Sequence, residues 1–183
     1  MRGAAWARQD WLVVLVSCVS LAPSAVFAQL LSPQRVFGRY QQFVWEDQHG
    51  LPQNAVAAIA RSRDGYLWLA TYEGAARFDG VRFTVFDSGN TSELATSLII
   101  TLMEDRSGSM WLGTDGGGLV RYADGRFTRY TSRQGLSDDH VMSLLEDRAG
   151  NLWIGTDGGG LNRYREGRFT SYTTRDGLPS DQV

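Results

Sequence analysis

The 183-residue sequence contains no lysine, a single cysteine, two histidines and four prolines. Without lysine there is no P-loop amine to reach a nucleotide phosphate and no Schiff-base nucleophile. One cysteine, Cys18, excludes a disulfide framework, and two histidines beside it make a poor metal set. No metal, cofactor or catalytic residue is therefore expected. Positive charge rests on arginine alone: 18 basic residues face 20 acidic ones, and a net charge of −2 leaves no basic footprint for nucleic acid. Long apolar runs are also scarce. The run from Trp11 to Ala22 spans about a dozen residues, short of the roughly 20 needed to cross a bilayer. With Arg2 and Arg8 before it and Val26-Phe27-Ala28 after it, the segment 1–28 has the layout of a secretory signal cut before Gln29. Export would remove Cys18 with the signal and leave residues 29–38 as a short leader. The mature chain must then hold together by packing and strand pairing alone.

What the sequence has in quantity is glycine, 21 residues, and aromatics, 11%, a balance that leans toward an all-β fold. The chain also repeats itself. Trp68, Trp111 and Trp153 are spaced 43 and 42 residues apart; Leu51, Leu94, Leu136 and Leu178 keep the same register, as do Val56, Ile99, Val141 and Val183. Each unit divides into four short apolar runs separated by turn signals, as in HVMSLLED, NLWIGT, LNRYR and RFTSYT of the third. Four short strands per repeat of roughly 40–50 residues describe a β-propeller blade. Helical repeats would need i, i+3, i+4 spacing over ten or more residues, which glycine this dense interrupts. The expected fold is all-β, with four-stranded antiparallel blades at about 51–88, 94–131 and 136–174. An outer closing strand is expected at 39–45 from the match of Tyr40–Phe43 to Phe83–Phe86, and a further blade begins at 178–183. Trp68, Trp111, Trp153, Gly113, Gly155, Phe83, Phe127 and Phe169 are the structural repeat positions. Three blades are too few to close a ring, so the chain reads as a fragment whose uncovered blade faces would self-associate.

Up-and-down topology sorts the loops. Turns after the first and third strands of each blade share one face and carry Asp64-Gly65, Gly108, Gly150, Asp79-Gly80, Asp124-Gly125 and Glu166-Gly167, compact hairpins. The other face carries Tyr72-Glu73-Gly74, the two Asp-Gly-Gly-Gly loops at Asp115 and Asp157, and the connections between blades. Function is expected on that second face, where longer and more varied loops converge. Glycine-rich phosphate cradles work at helix starts, which these loops lack, and one Asp per loop falls short of a calcium site. The loops read as tight turns where bulk is forbidden, with ligand contact through Asp115 and Asp157 as the alternative. In the first blade Tyr72 and Glu73 stand where the others have Asp and Gly, and a ligand would meet that aromatic and acid. His49 and His140 lie at different register positions and read as solvated loop residues; together with Asn54 and Asp139 of the connections they complete the set of candidate ligand-facing side chains. Glu104-Asp105 and Glu146-Asp147 read as turn or cap carboxylates facing Arg106 and Arg148.

These repeats resemble the two-component regulator propeller family. The third unit shows Gly135-Leu136, Asp147-Arg-Ala-Gly150-Asn-Leu-Trp153-Ile-Gly-Thr156, Gly160-Leu161-Asn-Arg163-Tyr164 and Gly167-Arg-Phe169-Thr-Ser-Tyr172. Departures are Glu93 for the loop glycine, and Ala70, Ala75 and Ala76 in the first blade. The resemblance implies a periplasmic sensor region of a receptor anchored in the inner membrane by a downstream helix, with a histidine kinase as output, or next a diguanylate cyclase. It also implies a small-molecule ligand, carbohydrate among the candidates, further blades and signalling domains as partners within the same chain, and a homodimer when full length. A secreted propeller enzyme resembling streptogramin lyase and a protein-interaction scaffold are the alternative readings.

Overall fold

In a computed structural model of the protein, residues 42–183 are described. Their twelve strands form three antiparallel sheets of four, each built from strands consecutive in sequence. The first blade comprises β1 (Val56–Arg61), β2 (Leu67–Thr71), β3 (Gly74–Phe78) and β4 (Phe83–Phe86). The second comprises β5 (Ile99–Glu104), β6 (Met110–Thr114), β7 (Leu119–Ala123) and β8 (Arg126–Tyr130). The third comprises β9 (Val141–Glu146), β10 (Leu152–Thr156), β11 (Leu161–Arg165) and β12 (Arg168–Tyr172). The first strands β1, β5 and β9 approach one another in turn. The blades thus fan outward from them.

Strand alternation gives every blade two apolar sides, and packing is between blades. All five residues of β6, Met110 to Thr114, are buried, because the middle blade is covered on both sides. Trp68, Ala70 and Ala75 of the first blade pack against Leu102, Leu112 and Val120 of the second. Trp111 and Leu119 of the second repeat that arrangement against Leu152 and Ile154 of the third. Aromatic rings continue the interfaces outward. Phe86 meets Tyr122 and Phe127 of the next blade at centroid separations of 6.0 and 5.1 Å, and Tyr130 meets Tyr164 and Phe169 at 5.4 and 6.0 Å.

The same pattern fixes a register that counting residues misplaces. The connections contain a 3-10 turn at Asp47–His49, Ser132–Gln134 and Thr174–Asp176, each closed by a glycine. Trp45 immediately precedes the first cap, as Tyr130 and Tyr172 precede the others, and its ring meets Phe78 edge-on at 5.0 Å. Trp45, not Phe43, is therefore the counterpart of Phe86. The connection between β4 and β5 is two residues longer than its relatives, so a fixed period carried back from Phe86 lands two residues early. Residues 42–45 carry no strand, and the rest of the stretch 39–45 lies outside the described residues, as does the segment 1–28.

Candidate functional site

The two faces use their side chains differently. On the hairpin face, Asp105 Oδ1 accepts from Ser109 N at 2.9 Å while its Oδ2 accepts the Trp111 indole N–H at 2.7 Å. Asp147 holds Asn151 N and Trp153 Nε1 in the same way, both at 2.9 Å. These hydrogen bonds hold both carboxyls below the usual carboxylate range: Asp147 chiefly through the Asn151 amide and the Trp153 indole, and Asp105 through Ser107 and Trp111 against the opposing effect of burial. The Asp-x-x-Gly-x-x-Trp spacing thus ties a turn to the tryptophan of its own blade.

The glutamates beside them do something the sequence reading missed. Glu104 Oε1 accepts from Arg63 N at 2.9 Å and Glu146 Oε2 from Arg106 N at 2.9 Å, so each faces the arginine of the preceding blade. Glu146 pairs with Arg106, whereas Glu104 pairs with Arg63 and not with Arg106. Packing sets the partner one blade back, about a whole repeat away in sequence.

On the opposite face, each second strand ends in a threonine whose hydroxyl donates to the carbonyl of the loop's last glycine. These bonds run from Thr71 to Gly74 at 2.7 Å, Thr114 to Gly118 at 2.7 Å and Thr156 to Gly160 at 2.8 Å. Gly74 corresponds to Gly118, so the first-blade loop is one residue shorter. Tyr72 and Glu73 together therefore replace an Asp-Gly-Gly stretch, not an Asp-Gly pair. Both are exposed, as are Asp115 and Asp157.

Three of the predicted positions come together. The connection into the third blade lies against the second-blade loop through Gly118 N to Asp139 O at 2.8 Å, and against its own blade's loop through Asp157 N to His140 O at 3.0 Å. His140 Nδ1 lies 3.0 Å from Asp138 Oδ1, and Nε2 lies 3.7 Å from Asp115 Oδ1. The hydrogen bond to Asp138 raises the imidazole pKa against the opposing effect of burial, and the charges of Asp138, Asp115 and Asp157 add to the rise. Asp157 Oδ1 also accepts from Gln182 Nε2 at 2.8 Å. No described contact joins Tyr72 and Glu73 to this cluster. Among the described residues, no group of three or more His, Cys, Asp or Glu side chains is placed to hold a metal ion.

Asn54 and Asp139 are already engaged. Asn54 Oδ1 accepts from Asp47 N at 2.8 Å, Asp139 Oδ1 from Ser132 N at 2.7 Å and Asp181 Oδ1 from Thr174 N at 2.6 Å; Ser97 Oγ serves Ser88 N at 3.1 Å. These four residues share one register position and tether each connection to its own start. His49 Nδ1 accepts from Glu46 N at 3.1 Å within the first such turn.

The His140 geometry gives a pH prediction. A folded-state pKa above the unfolded value contributes stability that is fully present below the unfolded pKa, about 6.5, and disappears as pH rises through the folded value. The urea midpoint should fall modestly as pH rises from about 6 to 8, and His140→Gln should flatten that slope. An unchanged slope in the variant would locate the titration elsewhere.

Three radially arranged antiparallel blades, with tight hairpins on one face and varied loops on the other, define a β-propeller. The two component regulator propeller model matches residues 50–73, 93–116 and 135–158, each match running from the connection through the first two strands to the loop beyond. The three repeats of this chain thus each carry a stretch similar to that family's blades. Among solved structures, the extracellular domain of a hybrid two component system of B. thetaiotaomicron matches with a TM-score of 0.69 and 22% identity, over 77% of this chain and 20% of its own. PorZ, a surface component of the type-IX secretion system of Porphyromonas gingivalis, matches with a TM-score of 0.58 and 20% identity, over 73% of this chain and 21% of its own. Virginiamycin B lyase from Staphylococcus aureus matches with a TM-score of 0.53 and 18% identity, over 68% and 42%. The chain thus spans about a fifth of the length of the first two. No curated protein matches it. Among the described residues, no helix is long and apolar enough to cross a membrane.

Proposed function

We propose that these blades belong to the exported, ligand-sensing part of a signal-transduction receptor, and that the face bearing the connections and second-strand loops receives the ligand. The matches to the two component regulator propeller model carry this reading. The division of labour between the faces supports the placement: hairpin carboxylates are committed to turns and blade contacts, whereas Tyr72, Glu73, Asp115 and Asp157 are exposed. The ligand is a small polar molecule, a carbohydrate fragment in the first instance, for which an aromatic face beside carboxylates is a suitable surface. Its effect travels as a change in blade or dimer packing to an output module of the same chain, a histidine kinase first and a diguanylate cyclase second. Such a ligand must bind the two signalling states unequally, since equal binding shifts nothing.

The test is a thermal-shift and calorimetric screen of the 183-residue chain against neutral and uronic-acid oligosaccharides. One class should raise the melting temperature and be recovered unchanged. Tyr72→Ala and Glu73→Ala should each weaken its binding about tenfold while leaving the unliganded melting temperature within a degree or two. Turnover of the probe, or binding indifferent to both substitutions, would overturn the reading.

A further inference from the structure

The arginine–glutamate contact between blades is directional. Arg63 N donates to Glu104 and its guanidinium to Arg106 O; one blade on, Arg106 N donates to Glu146 and Nη1 to Arg148 O at 2.7 Å. The first and second blades thus each offer an arginine from the first hairpin to the blade after them, and the second and third each present a glutamate, at the end of the first strand, to the blade before them. These glutamates are sheltered, at 12% and 16% side-chain exposure, while the arginines stay half exposed.

The first blade breaks the rule. Register places Arg61 where Glu104 and Glu146 stand, at the last residue of the first strand and opposite the first residue of the second: Arg61 pairs with Leu67 as Glu104 pairs with Met110 and Glu146 with Leu152. The rest of that blade side keeps the pattern. Ile59, Leu67 and Leu69 occupy the positions of Leu102, Met110 and Leu112, which a neighbouring blade covers, yet Ile59 is 64% exposed and Leu67 39%. Arg61 is exposed, and neither its guanidinium nor that of Arg148 has an ion-pair partner among the described residues.

We propose that the side of the first blade formed by Ile59, Arg61, Leu67 and Leu69 is built to receive a β-blade whose first hairpin carries a carboxylate in place of arginine. Arg61 is the counter-ion, so the charge sense of the contact is reversed at this one interface. The reversal selects the partner. An arginine-bearing blade, including the third blade of a second copy through Arg148, brings like charges together and is rejected. The apolar side is thus protected from head-to-tail polymerisation while it stays open to an acidic blade.

The test compares the 183-residue chain with Arg61→Glu, Arg148→Glu and the double variant by sedimentation velocity at low ionic strength. Each is also made with Trp45→Ala, which opens the place beside Phe78 to a second copy's outer strand. Circular dichroism checks that all remain folded, as expected for exposed side chains. Either single reversal creates a complementary pair and should tighten head-to-tail association about tenfold, with the double variant returning to the parent and salt erasing the difference. Equal association across the four, monomers throughout included, overturns the proposal, as does a double variant that associates as tightly as the singles.

Discussion

Trp111→Ala lowers the unfolding free energy by about 3–5 kcal/mol, whereas Trp153→Ala, at the same position of the next repeat, costs about 1–2 kcal/mol. Both tryptophans sit one residue into the second strand, and both donate their indole N–H to the turn aspartate of their own blade. They differ in what covers them. Trp111 is 3% exposed, lies 5.5 Å from the Tyr164 ring of the following blade and meets Tyr130 in a tilted contact at 5.8 Å, with the Arg121 guanidinium 5.6 Å from its ring. Trp153 is half-buried, and among the described residues its one ring neighbour is Tyr172 of its own blade, at 5.9 Å. Removing Trp111 leaves a cavity between two blades that neither can close alone, and it strips Tyr164 and Leu152 of their partner. Removing Trp153 takes away surface already partly in water. Urea unfolding of the two variants measures the difference. Equal losses would mean that the tryptophans act within their own blades, and that the interface between blades contributes little.

The repeat alone makes the blades legible in the sequence. Short apolar runs separated by turn signals mark the strands, and the second strand of a repeat is apolar on both faces because its blade lies between two neighbours. Legibility fails where the determining contact is remote or the period changes. The longer connection after Phe86 shifted the counterpart of Phe86 from Phe43 to Trp45, and only the edge contact with Phe78 reveals it. Glu104 and Glu146 look like partners of the nearest arginines along the chain, yet their partners lie on the preceding blade. Asn54 and Asp139 look like free polar groups of a binding face. Aligning them with Ser97 and Asp181 at the repeat period would have suggested a structural tether, since one position recurring as Asn, Ser, Asp and Asp keeps a hydrogen-bond acceptor. The gathering of His140, Asp115 and Asp157 depends on how successive loops abut, which no local pattern encodes.

The Asp-Gly-Gly-Gly loops should respond to substitution in two halves. Gly118 adopts φ +87, and a Cβ there would meet the carbonyl oxygen of Tyr130 and lie 3.3 Å from its carbon. Gly160 repeats this with φ +75 against Tyr172 O. Left-handed backbone costs an L-residue about 1–2 kcal/mol, and a backbone carbonyl in a sheet cannot swing aside, which adds about 1–3 kcal/mol of overpacking. Gly160→Ala should therefore cost about 2–5 kcal/mol. Gly158 also has positive φ, +113, but nothing lies within 4 Å of its Cβ position, so Gly158→Ala should cost only the backbone strain of about 1–2 kcal/mol. Chemical denaturation of the pair gives the comparison, and equal costs would refute a steric role for the third glycine. The asymmetry bears on function. The buried third glycine, with the threonine hydroxyl on its carbonyl, fixes the loop against the outer strands and the next connection. The aspartate and first glycine stay exposed at the loop tip, with Asp157 bonded to Gln182 and Asp115 beside His140, on the face proposed above to receive the ligand. A Gly158→Ala variant that keeps its fold yet loses the oligosaccharide response would extend the proposed binding surface from Tyr72 and Glu73 to the third-blade loop, and retained binding would confine it to the first blade.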